Sequence, residues 1–463
     1  MKRSVIITST IILLGLAIFI ACFLMSRDGK GKQTEVQKAV TTEESVVTGW
    51  VTEAKGTMYL SSAGDATKGI AEIDGKAYVF DDEGILLSGW QENVSDEKIY
   101  VNQDGTLASG WTKINDFIYY FNDDGTPYSG WLTDLGKRYY IKKNGQVTRG
   151  VSKIDSEYYT FGDDGKLISE EELVACIDEI PLNEDTDTSR KSVSENELIT
   201  FGGYEIDFED KKALYDVIDK MNPDGYRIVG FLMINLGNGK GIGYNVDEKV
   251  YSASCIKGPY VASLVNYKPE LIETNSNTLI QVVMNSDNKL YSNLRKSYGR
   301  QFFGEWCVAA DADEDVSIYN YPRLSSRNLA KLWVKNYYFF NTDEVGMQIR
   351  DWYIKPNSSA IYNSLGQGKT DEASEDSEVP DDSDQNNSAE PSSYISPGFR
   401  TESKAGWFCE SDRPDATATT DGGIIYPDDG SPYVIAIITD FPADMKRLEP
   451  LCTELNEIYK KTK

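Results

Sequence analysis

The stretch "YSASCIKGPY" holds a serine and a lysine three residues apart, Ser254 and Lys257. These are the residue types of an acyl-transfer site. A serine hydroxyl is inert until something takes its proton, and an amine does so where burial disfavours its charge. Residues three apart on a helix share a face. A serine at a helix start also lies beside free backbone N–H groups, which can hold a developing oxyanion. Alone the pair is a weak signal, because long chains contain it by chance. The chain has no histidine, which removes Ser-His-Asp and Cys-His pairs and His-ligated zinc. An activated serine here must use a lysine or a carboxylate.

Two further motifs follow in order. "MNSDNKLYSNL" places Ser286, Asp287 and Asn288 before a helical run, and "RTESKAGWF" places Ser403, Lys404, Ala405, Gly406 and Trp407 on an expected strand. The set S-x-x-K, S-D-N, K-T-G in that order belongs to class A β-lactamases and penicillin-binding proteins. Here Ala405 replaces the threonine. On these residues, 206–463 resembles the class A β-lactamase-like catalytic domain.

That resemblance implies roles. Ser254 attacks a carbonyl and is acylated, and Lys257 serves as or supports the base. Ser286 relays a proton to the leaving nitrogen. Asn288 contacts Lys257 and the substrate amide, and Lys404 attracts the substrate carboxylate. Ala405 lacks the usual hydroxyl, Gly406 gives clearance, and the N–H groups of Ser254 and Trp407 form the oxyanion hole. Asp287 is structural. The implied substrates are β-lactams or D-Ala-D-Ala-like stem peptides, without metal or cofactor. One departure limits the resemblance. The Glu-x-x-Leu-Asn loop that activates the deacylating water is absent from "CVAADADEDVSIYNYP" (307–322). Asp311, Asp313 and Glu314 are the candidate substitutes there, with solvated loop acids as the plainer reading, and without a base the acyl-enzyme persists.

The elements that must position these residues are legible as patterns. "FEDKKALYDVIDKM" is an amphipathic helix, and "PADMKRLEPLCTELNEIYKK" ends the chain as another. "YRIVGFLMINL" with "GIGYNV", and "DGGIIYP" with "PYVIAIITD", read as hairpins. A sheet built from both ends with helices between them is an α/β sandwich.

Upstream, Gly-Trp or Gly-aliphatic pairs recur at 49–50, 69–70, 89–90, 110–111, 130–131 and 150–151. Between them lie tyrosine-rich strands and Asp-Gly or Asn-Gly turns such as "IYYFNDDG" and "RYYIKKNG". These are the turns of two-residue hairpins, and a fixed period implies a stacked array. The segment 49–168 resembles the cell-wall-binding repeats of choline- and glucan-binding surface proteins. Choline-type repeats carry a Trp-Tyr-Tyr strand, whereas Ala77, Lys98, Ile118, Arg138 and Tyr158 hold its first position here. A quaternary-ammonium cage needs several aromatic faces, so a glycan or teichoic acid stacked on Trp50, Trp90, Trp111 and Trp131 is the expected ligand. Inter-hairpin packing accounts for any single one of these tryptophans equally well.

The run Ser4–Ser26 carries no charge and is long enough to span a bilayer. It is read as an uncleaved anchor, with acylation of Cys22 as the rival. The expected organisation is a transmembrane anchor (1–27), a linker (28–48), a β-hairpin repeat solenoid (49–168), an acidic linker (169–205) and the β-lactamase-like sandwich (206–463). A disordered acidic insert is expected at 371–393. The net charge of −27 argues against nucleic acid, which needs a basic surface. The six cysteines lack C-x-x-C spacing, so no metal cluster is expected. Disulfides stay open, with Cys255 and Cys409 beside the motifs. The expected protein is a cell-surface serine acyl hydrolase with its bulk outside the membrane. The alternative is a non-catalytic wall-binding protein that keeps the fold as scaffold.

Overall fold

The structure, a computed structural model, describes residues 46–155, 157–181, 196–366, 399–409, 416–428 and 430–462. The chain divides into two compact units, Met1–Leu87 and Ser88–Lys463. The first contains hairpins Gly49–Glu53/Gly56–Leu60 and Gly69–Ile73/Lys76–Phe80. In the second of these, Asp74 and Gly75 both have positive φ (52° and 75°), as a type I′ turn demands. The second unit opens with four more hairpins, Gly89–Glu92/Lys98–Val101, Gly110–Ile114/Phe117–Phe121, Gly130–Asp134/Lys137–Ile141 and Gly150–Ile154/Glu157–Phe161.

Each hairpin is a separate two-stranded sheet, so the expected continuous solenoid is corrected. A lone hairpin is marginally stable. Within the second unit, successive hairpins meet through rings and isolated bridges, such as Tyr119 with Gln146. The membrane-spanning element of the expected fold is corrected as well. No helix among the described residues is long and apolar enough to cross a membrane. Residues 1–27, where the anchor was expected, lie outside the described residues, as does the acidic tract 371–393.

The rest of the second unit is built on one antiparallel sheet. Its strands are β1 (Leu198–Phe201), β2 (Val229–Asn235), β3 (Gly241–Tyr244), β6 (Arg400–Phe408), β7 (Ala418–Tyr426) and β8 (Tyr433–Thr439), in the order β1-β3-β2-β8-β7-β6. A short pair, β4 (Val250–Tyr251) and β5 (Arg323–Leu324), stands apart. The central strands are apolar on both faces because both are covered. Leu232, Ile234, Val434 and Ala436 enter one core with the helices α3 (Lys257–Tyr267), α4 (Leu271–Met284) and α7 (Ser326–Thr342). Phe231, Met233, Ile435 and Ile437 enter the opposite core with α2 (Phe208–Met221), α9 (Ala360–Leu365) and α10 (Glu449–Lys461). The period-2 alternation of β2 and β8 thus divides their side chains between two helical layers.

The segment read as an acidic linker is partly built into this body. Glu170–Asp178 forms helix α1, started by a capping box between Ser169 and Glu172. Strand β1 falls in the same segment. Helix α1 buries Leu173, Val174 and Ile177, and two buried cations of α7 fasten its far end. Arg327 forks onto Asp247 at 2.7 and 3.0 Å and donates to the carbonyls of Ile177 and Ile180. Lys331 pairs with Asp178 at 2.8 Å and Asp311 at 2.7 Å. The last hairpin is joined through Ser431, which donates to Asp163 at 2.9 Å. Tyr338 likewise donates to the Ile168 carbonyl at 3.1 Å.

Candidate active site

Ser254 lies in a single 3-10 turn, Ala253–Ile256, between β4 and α3. The sequence suggested that the helix starts at Ser254; the tight turn comes first and the α-helix begins at Lys257. Ala253 is held at φ 46°, a left-handed conformation that costs a non-glycine residue roughly 1–3 kcal/mol and persists only where surroundings impose it. The imposition is visible. Thr420 Oγ1 donates to the Ser252 carbonyl at 2.9 Å, and Gly406 is pressed onto the turn. A Cβ at 406 would collide with the backbone nitrogens of Ser254 and Cys255. Ser254 is half-buried, and among the described residues its hydroxyl has no hydrogen-bond partner.

Lys257 is fully buried. Its amine donates to the Ser286 carbonyl and to Asn288 Oδ1, both at 2.6 Å, and lies 3.4 Å from Ser286 Oγ. Burial, followed by the nearby Lys404 charge, pulls the amine down to about 7, against the opposing pull of Asp287. Lys404, from β6, is also fully buried. It donates to Ser286 Oγ at 3.1 Å and to the Ala405 carbonyl at 2.7 Å. Burial lowers it to about 8, with Asp421 working the other way.

Ser286 is itself held at φ 60°. The next residue, Asp287, caps α5 (Asn288–Tyr298) by accepting from Leu290 N at 2.8 Å. The strained serine and the cap together turn Ser286 and Asn288 toward Lys257. Ala405 is fully buried and pairs with Asp421 on β7. Asp421 accepts from Ser359 Oγ and Ile361 N, and burial pushes its carboxyl up to about 6. Trp407 is exposed on the edge strand. Ser254, Lys257, Ser286, Asn288, Lys404 and Gly406 therefore converge. Ala405 contributes a buried methyl on the face away from Lys404, by strand alternation.

Of the three acids singled out in the 307–322 segment, Asp311 and Asp313 are engaged elsewhere. Asp311 is held below the usual carboxylate range by Lys331, and Asp313 by Lys249 and Asn328. Glu314 lies beside Gly304 on α6 (Gln301–Ala309). Instead, Tyr321 reaches the site and donates to Asn288 Oδ1 at 3.0 Å. No motif marks Tyr321, because its partner lies 33 residues away. The cysteines 176, 255, 307, 409 and 452 are free. Cys255 is buried and its thiol is pushed up to about 12 by that burial, while Cys409 is exposed.

In the hairpins each tryptophan meets a tyrosine of its own hairpin and one of the next. Trp50 contacts Tyr59 and Tyr78, Trp90 contacts Tyr100 and Tyr119, Trp111 contacts Tyr120 and Tyr139, and Trp131 contacts Tyr140 and Tyr159. Packing therefore uses part of every ring. Trp90 still shows 42% of its surface and lines a cavity of about 530 Å³ with Tyr119, Lys98 and Lys143. Trp131 differs, because the Arg138 guanidinium covers its ring at 4.3 Å.

No family model and no curated protein matches the chain. Among solved structures it is similar to choline binding protein F from Streptococcus pneumoniae. The identity is 25% over 26% of this chain and 42% of that one, with a TM-score of 0.25. It is also similar to the β-lactamase from Sphaerobacter thermophilus, at 13% identity over 55% of this chain and 99% of that one, with a TM-score of 0.40. PBP-A matches at 14% identity over 54% of this chain and 96% of that one, with a TM-score of 0.39. The chain spans less than half the length of choline binding protein F. The neighbours thus include both of the families that the sequence resembles, one for the repeats and one for the C-terminal part.

Proposed function

We propose that the chain is a serine acyl-transfer enzyme of the cell surface. It acts on β-lactams or D-Ala-D-Ala-like peptidoglycan peptides, with the hairpins binding a wall polymer. One observation carries the reading: the Ser286 hydroxyl lies between two buried lysine amines, 3.1 Å from Lys404 and 3.4 Å from Lys257. Two buried amines at one hydroxyl cost stability and serve no packing purpose, whereas they suit proton transfer beside an anionic substrate.

The chemistry follows from the donors. Neutral Lys257 has two N–H groups, and two acceptors at 2.6 Å take both. Its lone pair is then free to receive the Ser254 proton. Ser254 Oγ attacks the carbonyl carbon, and the oxyanion forms against the N–H groups of Ser254 and Trp407. As the C–N bond breaks, Ser286 gives its proton to the leaving nitrogen and regains one from Lys257. Lys404 acts as a point charge for the substrate carboxylate. Trp90 and the other exposed tryptophans offer stacking faces to wall sugars.

The test is intact-mass spectrometry of the chain after incubation with a penicillin, alongside Ser254→Ala. An adduct of penicillin mass on the wild type alone supports the reading, and so does loss of free penicillin that depends on Ser254. Neither adduct nor turnover would leave the wall-binding scaffold as the better description.

A further inference from the structure

The hairpin tryptophans of the second unit do not offer the same chemistry. Trp111 gives its indole N–H to Asp134 Oδ2 at 2.8 Å. Trp131 has its face covered by Arg138. Trp90 keeps both its exposed face and its donor, since among the described residues its N–H has no hydrogen-bond partner. Lys98 holds the place in its strand that Arg138 holds in the Trp131 hairpin, two residues before the tyrosine paired with the tryptophan. It therefore shares a face with Trp90 and Tyr100. The Lys98 side chain lines the cavity beside the Trp90 ring.

The far wall of that cavity comes from the turn after Lys137–Ile141. Two backbone bonds fix this turn, Tyr120 N to the Gly145 carbonyl at 3.0 Å and Val147 N to the Ile118 carbonyl at 2.8 Å. They set Lys143 and Asn144 in one lining with Trp90 and Tyr119. Asn144 Oδ1 accepts from Gln146 N at 3.1 Å, which leaves its amide N–H groups to donate. Glu97 is the one carboxylate of the lining, and Asn93 Nδ2 donates to it at 3.0 Å. Glu92 lies opposite Lys98 in register. Neither lysine has an ion-pair partner among the described residues. The volume suits a small ligand. Two ammonium groups repel a quaternary ammonium, which needs several aromatic faces, and they attract an anion.

Resting on the reading that the hairpins bind a wall polymer, we infer that this cavity takes an anionic sugar, a ring that carries a phosphate or a carboxylate. The C–H face of the sugar stacks on Trp90 with Tyr119 beside it, and a ring hydroxyl accepts the indole N–H. Lys98 and Lys143 hold the anion from opposite walls. At Trp111 the N–H is spent and at Trp131 the face is, so neither repeats the site.

The experiment titrates the full chain, labelled with nitrogen-15 in its indoles, against glucose 6-phosphate, glucuronate, glucose and choline. The readout is the indole signal that Trp90→Phe removes. The comparison is the double variant Lys98→Gln/Lys143→Gln, whose positions are exposed. Both anionic sugars are expected to shift the signal and to bind at least ~10-fold tighter than glucose, the scale of one charge-assisted hydrogen bond. Choline leaves the signal in place, and in the double variant the anions fall to the level of glucose. The tighter of the two anions tells phosphate from carboxylate. Glucose binding as tightly as the anions, a choline shift as large as theirs, or no shift with any probe overturns the inference. Co-sedimentation with purified walls runs in parallel. A wild type that sediments with walls while the titration fails loses only this ligand assignment. A wild type that binds no probe and no wall overturns the wall-binding reading as well.

Discussion

Gly406 rests directly on the backbone nitrogen of Ser254. The edge strand and the turn that carries Ser254 are therefore one packed unit, and the N–H groups proposed as oxyanion donors are set by contact rather than by loop conformation. In Gly406→Ala the added methyl must displace the turn, at about 1–3 kcal/mol for an overpacked site. The expected outcome is a folded protein with a lowered melting temperature whose acylation by penicillin falls by about 100-fold, the scale of one lost oxyanion donor. Stopped-flow acylation together with thermal melting separates the two effects.

If the chain acylates as proposed, the rate is expected to have a narrow pH optimum. Lys257 is the base only when neutral, so the rate rises as pH passes about 7. Lys404 attracts the substrate carboxylate only when charged, so the rate falls as pH passes about 8. The two limbs belong to the coupled pair rather than to either lysine alone. A pH–rate profile of acylation that is flat from 6 to 9 would remove both assignments.

Arg327 should matter more to stability than its surface pairs do. It is buried and holds the carboxylates of Asp247 and Asp178, the Ile177 carbonyl of α1 and the Ile180 carbonyl just beyond it. Removing one partner of such a buried set costs about 3–5 kcal/mol. Arg327→Lys should recover only part of the loss, because a point charge cannot replace the fork. Denaturant midpoints of Arg327→Ala and Arg327→Lys check this.

The tryptophans of the second unit should separate by role. Trp90→Ala is expected to weaken binding to purified cell walls at unchanged stability to within about 1 kcal/mol, since its ring is exposed. Trp131→Ala is expected to lower stability with little effect on wall binding, because Arg138 already occupies its face. Co-sedimentation with wall fragments, paired with melting curves, tells the two roles apart.

What could be read from the sequence follows from distance along the chain. Ser254 and Lys257 are neighbours on one turn, and Asn288 follows Ser286 across a cap, so their spacing carried the geometry. The strands around Phe231 and Ile435 were legible because sheet burial writes a continuous apolar run. Tyr321 was not legible, since its meaning comes from Asn288 on another element. Helix α1 read as a linker because its acids look solvated until Arg327 and Lys331, about 150 residues later, are folded against them. The solenoid was over-read, because a 20-residue period specifies repeated hairpins without specifying shared hydrogen bonding between them.

The joint between the last hairpin and the sandwich has a mechanical consequence. Asp163, Ile168, Glu170 and Asp178 are each held by a side chain of the sandwich. An enzyme on a loose tether sweeps a volume around its mooring. Here the final repeat and Ser254 keep a fixed offset, so on the proposed reading a grip on a polymer would set the height at which Ser254 works, as a ruler does, and leave bonds nearer or farther uncut.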